Sequence, residues 1–240
     1  MSNGDSARFC RLLIVALTAS LGCGSNDPWT EPMPQGEKVV VTTPDTPAID
    51  LQFIELASGE RTAIELTAKL TEDQLKTATS SAAKIKSITC QTFEQVEPLL
   101  KHVPLEAIVI HGKVNDSQFK LICMKTTLLR LNLPKATLSN SGLTEVTKLN
   151  RLELLRFASP KVTDEAFKYI SQVQSLKFLH LLGVPITDAA LPEIGKLKNL
   201  ESFYLDGGKT TNDGLVKFSK ARPDIHFHKD QLHLDGSGHD

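Results

Sequence analysis

The sequence predicts an α/β repeat protein in which one strand and one short helix recur as a unit. Three observations predict it. Residues 152–175, 176–199 and 200–221 read as versions of one sentence, best spoken by L-K-F-L-H-L-L-G-V-P-I-T-D-A-A-L-P-E-I-G-K-L-K-N at 176–199. Within each version the apolar spacing switches from two residues to three, from strand spacing to helix spacing. At the switch stands a pair built from Thr, Ser or Asn with Asp or Asn.

The strand half follows an L-x-x-L-x-L pattern. Ile85, Ile88 and Cys90 form a weak first unit, followed by Leu105, Ile108 and Ile110, then Leu128, Leu131 and Leu133. Leu152, Leu155 and Phe157; Leu176, Leu179 and Leu181; and Leu200, Phe203 and Leu205 complete the series. Successive units start 20, 23, 24, 24 and 24 residues apart. The helix half buries one side through Leu143, Val146 and Leu149; Phe167, Ile170 and Val173; Leu191, Ile194 and Leu197; and Leu215 with Phe218. The hinge pairs are Asn115-Asp116, Ser139-Asn140, Thr163-Asp164, Thr187-Asp188 and Asn212-Asp213. Their first members suit the N-cap of a helix, and Asp complements the helix dipole. A carboxylate recurring every 24 residues also suits a metal or catalytic role, but each Asp belongs to its own helix start, so capping accounts for all of them together.

The chain before the repeats divides in three. Residues 1–22 have the order of a secretory leader: basic Arg8 and Arg11, the apolar run 12–19, then small residues. The run is too short to span a bilayer. Ser20-Leu21-Gly22-Cys23 resembles the lipobox of bacterial lipoproteins, with Ser20 standing where that family usually has Leu. The resemblance implies cleavage before Cys23 and a diacylglycerol on its thiol. The alternatives are an ordinary leader with an incidental Cys, or a short buried helix. Residues 23–50 hold five prolines among Gly, Ser, Asn and Thr, and read as a flexible tether; Val39-Val40-Val41 is the one apolar stretch, free or paired as an edge strand. Residues 51–84 read as an N-terminal cap or a diverged repeat: 52–56 and 63–66 alternate like strands, and Thr71 or Asp73 opens a helix. The ends of a repeat stack need such atypical covers.

Residues 105–228, and 176–199 best of all, resemble bacterial leucine-rich-repeat proteins of the ribonuclease-inhibitor-like subtype. The resemblance implies a leucine-rich-repeat solenoid over 85–228, with a curved parallel β-sheet on the concave face, short helices on the convex face, and protein binding as the common task. Phe218 to Phe227, with Pro223, is similar to the closing segment of such arrays. The usual ladder Asn is missing: its places hold Ala136, Pro160, Val184 and Gly208. Residues 229–240 read as a disordered tail.

If the Leu positions face the core, the residues between them line the concave sheet. These are Arg130 and Asn132; Leu154, Arg156 and Ala158; Phe178, His180 and Leu182; and Ser202, Tyr204 and Asp206. Arg156, His180 and Tyr204 form one column, and Leu154, Phe178 and Leu182 add apolar area beside it. Such mixtures suit protein interfaces. The bland reading is a solvated face with scattered apolar residues.

Other chemistry is weakly signalled. His226, His228 and His233 have metal-like spacing but no carboxylate or Cys at ligand distance in sequence, so no metal or other cofactor is expected. There is no nucleophile elbow, P-loop or dinucleotide fingerprint. Basic and acidic residues number 27 and 28, which gives no footprint for nucleic acid. Cys10 and Cys23 belong to the export region; Cys90 and Cys123 read as small core residues, although an exported protein could pair them. The expected function is a non-enzymatic scaffold of the bacterial cell envelope, held on the membrane by lipid on Cys23 and binding a protein or peptide through the concave face. The alternative is a structural envelope protein without a specific ligand.

Overall fold

Among the described residues, eight strands lie side by side in sequence order and in parallel, and a ninth closes the sheet antiparallel. The computed structural model describes residues 48–230 and 232–233. The strands are β1 Ala63–Leu66, β2 Ser87–Cys90, β3 Ala107–Ile110, β4 Arg130–Leu133, β5 Leu154–Ala158, β6 Phe178–Leu182, β7 Ser202–Asp206, β8 His226–Lys229 and β9 Leu232–His233. Between successive parallel strands the chain crosses over through short helices: α2 Glu72–Ser80, α3 Phe93–Val96, α4 Asp116–Cys123, α5 Asn140–Leu143, α6 Phe167–Ile170, α7 Leu191–Ile194 and α8 Asn212–Ala221, with α1 Ala48–Ser58 ahead of β1. The expected leader 1–22, Cys23 and the expected tether as far as residue 47 lie outside the described residues.

Every unit solves the same burial problem. The core positions of the strands align in register, Leu131 beside Leu155, Leu179, Phe203 and Phe227. All of these are buried, together with the helix faces at Leu143, Phe167, Leu191 and Leu215. They form one continuous apolar cluster from Phe53 to Phe227. Burial of each Leu or Phe side chain contributes about 1.5–3 kcal/mol. Cys90 and Cys123 are separate free thiols in this cluster. Burial pushes Cys90 up to about 12, and Cys123 is raised by the same cause.

Asn115, Ser139 and Thr187 cap the helical turns that follow them, Thr163 takes the N-cap place without a side-chain bond to its own turn, and the second members of the pairs do more than expected. Asp164 does not serve only its own helix. Its carboxylate accepts from the Thr187 amide at 2.7 Å and the Thr187 hydroxyl at 2.6 Å, one repeat further on. Asp116 binds Ser139 in this way at 2.9 and 2.6 Å, and Asp188 binds Thr211 at 2.8 and 2.6 Å. Asn140 holds Thr163 with both ends of its amide, at 2.8 and 2.7 Å. The receiving hydroxyl is used twice where it belongs to Ser139, Thr187 or Thr211. It donates to the carboxylate behind it and accepts an amide of its own helix, from Gly142 at 3.1 Å, Ala189 at 3.2 Å and Gly214 at 3.0 Å. A hydroxyl donates and accepts through a single oxygen, which suits Ser or Thr to these caps. The cap of α8 is therefore Thr211, one residue before the expected Asn212. The Thr211 hydroxyl and amide also hold the Asp188 carboxyl below its ordinary value. Space beside the ladder is short: a methyl group added at Gly142 or Gly214 would collide with the Asp116 or Asp188 carboxylate.

The two ends depart from expectation. Residues 52–56 alternate on paper like a strand, yet they lie in α1, as do residues 48–50 of the expected tether. Ile49, Phe53 and Leu56 share one helical face, and Phe53 and Leu56 are buried while Ile54 is 63 % exposed. A helical face satisfies that spacing as well as a strand does. Gln52 then covers the open edge of β1, its amide donating to the Glu65 carbonyl at 3.1 Å and accepting the Glu65 N–H at 2.7 Å. Covering an edge strand in this way blocks pairing with another chain. Thr71 caps α2 in a capping box with Gln74. At the other end, Lys229 completes β8 and Leu232–His233 form β9, so these residues are not part of a disordered tail. Asp230, with φ at 51°, reverses the chain between them, and its carboxylate accepts the Gly207 N–H at 2.6 Å.

The ladder makes a testable demand. Asp164→Ala leaves the Thr187 amide and hydroxyl without their partner and is expected to cost about 1–3 kcal/mol in a urea titration. Asp213→Ala, in the last helix with no cap after it to hold, should cost under about 1 kcal/mol.

Candidate functional site

The residues between the core positions form three rows across the open sheet face, opposite the helices. Register places Arg130, Leu154, Phe178, Ser202 and His226 in the first row. Asn132, Arg156, His180, Tyr204 and His228 form the second. Ala158, Leu182 and Asp206 form the third. The whole set expected for the concave face is thus brought onto one surface. His226 and His228, considered in the sequence only as metal-like spacing, join it as well. The 24-residue period already pointed there, since 202 and 204 advance to 226 and 228.

The middle row is a connected chain of polar contacts. Arg156 donates through Nη1 to Asn132 Oδ1 at 3.1 Å and through Nε to His180 Nδ1 at 3.3 Å. A ring nitrogen that accepts carries no proton, so the His180 proton is assigned to Nε2, which donates to Asp206 Oδ2 at 2.8 Å. Tyr204 lies between two imidazoles, with ring centroids 5.4 Å from His180 and 4.5 Å from His228, the latter stacked within 5° of parallel. His228 Nε2 and His226 Nδ1 are 3.2 Å apart. Among the described residues no three His, Cys, Asp or Glu side chains come together as a metal site would require.

Exposure corrects one expectation. Leu154, His180 and Tyr204 are each only 8 % exposed, so they do not offer free contact area. Parallel strands stand about 4.8 Å apart, and bulky neighbours at that spacing cover one another. Solvent meets Arg130, which is exposed, and Asn132, Arg156, Ala158, Phe178, Leu182, Asp206, His226 and His228, which are partly so. Burial holds Arg156 below the ordinary arginine value against the opposing pull of Asp206, and a guanidinium so shifted remains cationic.

The protein-family models and the curated protein sequences contain no match to this chain. Solved structures do match. Internalin C2 of Listeria monocytogenes superposes over 79 % of this chain and 85 % of its own, with a TM-score of 0.52 at 13 % identity. The fold is a leucine-rich-repeat solenoid. A leucine-rich-repeat protein of Leptospira interrogans matches over 73 % of this chain and 50 % of its own, with a TM-score of 0.49 at 17 % identity. At such identities the likeness speaks for the fold alone. Leucine-rich-repeat architecture accounts for the parallel sheet and the outer helices, while the rows on the open face belong to this sequence.

The buried ring stack carries a prediction for stability. Tyr204→Ala should destabilise the leucine-rich-repeat domain by about 2–4 kcal/mol, since it opens a gap between two imidazoles. Tyr204→Phe should cost much less. Thermal unfolding of the two variants beside the parent distinguishes this packing role from an exposed contact residue.

Proposed function

We propose that the chain is a non-enzymatic leucine-rich-repeat scaffold, anchored in the bacterial cell envelope by lipid on Cys23, which binds a protein or peptide across the open sheet face. The observation that carries the reading is the surface around Arg156. Asn132 and His180 fix its guanidinium, and partly exposed Phe178 and Leu182 stand on the strand beside it. Rigid Arg next to apolar and aromatic groups is the chemistry of interface anchors. Fixing the side chain before binding also removes part of the ordering cost.

The same contacts argue against catalysis. In a hydrolytic dyad the imidazole nitrogen away from the carboxylate takes a proton from a nucleophile. In the His180–Asp206 pair that nitrogen is occupied by Arg156 Nε. The near balance of charge supports a partner other than nucleic acid. The anchor rests on the leader and Cys23 of the sequence. Among the described residues no helix is long and apolar enough to cross a membrane.

Two measurements test the reading. A photo-crosslinking amino acid at position 178, in the full chain in its native membrane, should yield adducts that are missing when the probe stands at exposed position 216 of α8. Identical products from both positions, or none, would favour the structural alternative without a ligand. Mass spectrometry of the mature N-terminus should find a lipid-modified fragment beginning at Cys23, and an intact Met1 would overturn the anchor.

A further inference from the structure

Arg156 has five N–H donors in a planar fork, and the acceptors it meets, Asn132 Oδ1 and His180 Nδ1, are both neutral. Among the described residues no carboxylate lies within ion-pair distance of it. The nearest charge along its chain of contacts, on Asp206, is held by the far side of the His180 ring. Arg130 stands on the adjoining strand, diagonal to Arg156, and also makes no ion pair among the described residues. Several other basic residues of the solenoid are paired. Lys86, Lys148, Lys177, Lys196, Arg222 and Lys229 all meet a carboxylate. A partly desolvated guanidinium with only neutral partners is positioned to take a carboxylate from outside, and its fork matches one bidentately.

The register narrows the partner further. Arg156 pairs with His180, and Phe178 and Leu182 lie two residues to either side of His180 on β6. Both are partly exposed, and four strand residues span about 13 Å. An extended peptide presents residues i, i+2 and i+4 to one side at that same spacing. We propose that the open face recognises an acidic polypeptide segment of the form apolar-x-Asp/Glu-x-apolar, its carboxylate on Arg156 with Arg130 in support and its apolar side chains on Phe178 and Leu182. This rests on the binding role proposed above and names the partner's chemistry. Asp206 sets the acid's position, because a carboxylate placed one row over would meet it as a like charge.

The test uses the full chain in detergent and a display library of fully randomised twelve-residue peptides. Selected peptides should carry Asp or Glu flanked at two residues by apolar side chains. In a synthetic peptide of the selected sequence, Glu→Gln should weaken binding about tenfold to a hundredfold. The same change should have little further effect on Arg156→Gln, because the coupled partner is already gone. Arg156→Lys keeps the charge without the fork and should also weaken the acidic peptide, and Arg130→Gln, at an exposed position, should do so more mildly. Thermal unfolding checks that each variant is folded, and the peptide's own Glu→Gln change needs no protein variant. Peptides selected without acidic preference, yet lost on Phe178→Ala, would overturn the acidic partner while the binding face stood. Selection of no peptide that depends on Phe178 would overturn both.

Discussion

The hydrogen bonds that the caps Ser139, Thr163, Thr187 and Thr211 donate to Asp116, Asn140, Asp164 and Asp188 of the preceding unit are what turn a string of units into one body. Apolar burial alone favours stacking but tolerates sliding, because Leu against Leu has little directional preference. A carboxylate that must reach one amide and one hydroxyl a repeat away permits only one offset. The register of the strands then follows, and with it the alignment of Asn132, Arg156, His180 and Tyr204. Solenoids of this class commonly use an Asn in the turn after the strand. Here Ala136, Pro160, Val184 and Gly208 stand there, and the directional bond has moved to the start of the helix.

The ends of the stack show the same economy. A parallel sheet exposes unpaired backbone at both edges, and each edge is handled by a different device. At β1 the side chain of Gln52 imitates a strand, offering one donor and one acceptor to Glu65. At β8 the chain turns back as β9 and pairs antiparallel. Phe227 stacks on Phe203 at 5.1 Å beneath it, with Phe218 edge-on to both, so the last unit replaces aliphatic packing by aromatic packing.

On the open face, polar contacts organise what the core leaves free. Asp206 orients His180, His180 offers its unprotonated nitrogen to Arg156, and Asn132 completes the hold on the guanidinium. Each link crosses to a neighbouring strand, so the arrangement exists only when four strands are stacked in register. The result is a cation whose direction is set by neutral groups and whose surroundings include apolar side chains. That combination favours a carboxylate ligand.

Period and pattern by themselves determined the α/β repeat fold. Leu, Ile and Phe every second residue followed by every third can bury one side only as strand then helix, and the 24-residue recurrence fixes how the units follow one another. The residues of the open face were equally legible, since alternation along a strand is a local property. Tertiary structure alone decided the rest. Residues 52–56 fit a strand or a helix locally, and contact with β1 and the core selected the helix. The role of each Asp could not be read locally, because its partners lie 23 residues away along the chain. The burial of Leu154, His180 and Tyr204 likewise depends on neighbours from other strands, which no single segment contains. Local periodicity encodes which way a side chain points; what it meets there is a property of the stacked whole.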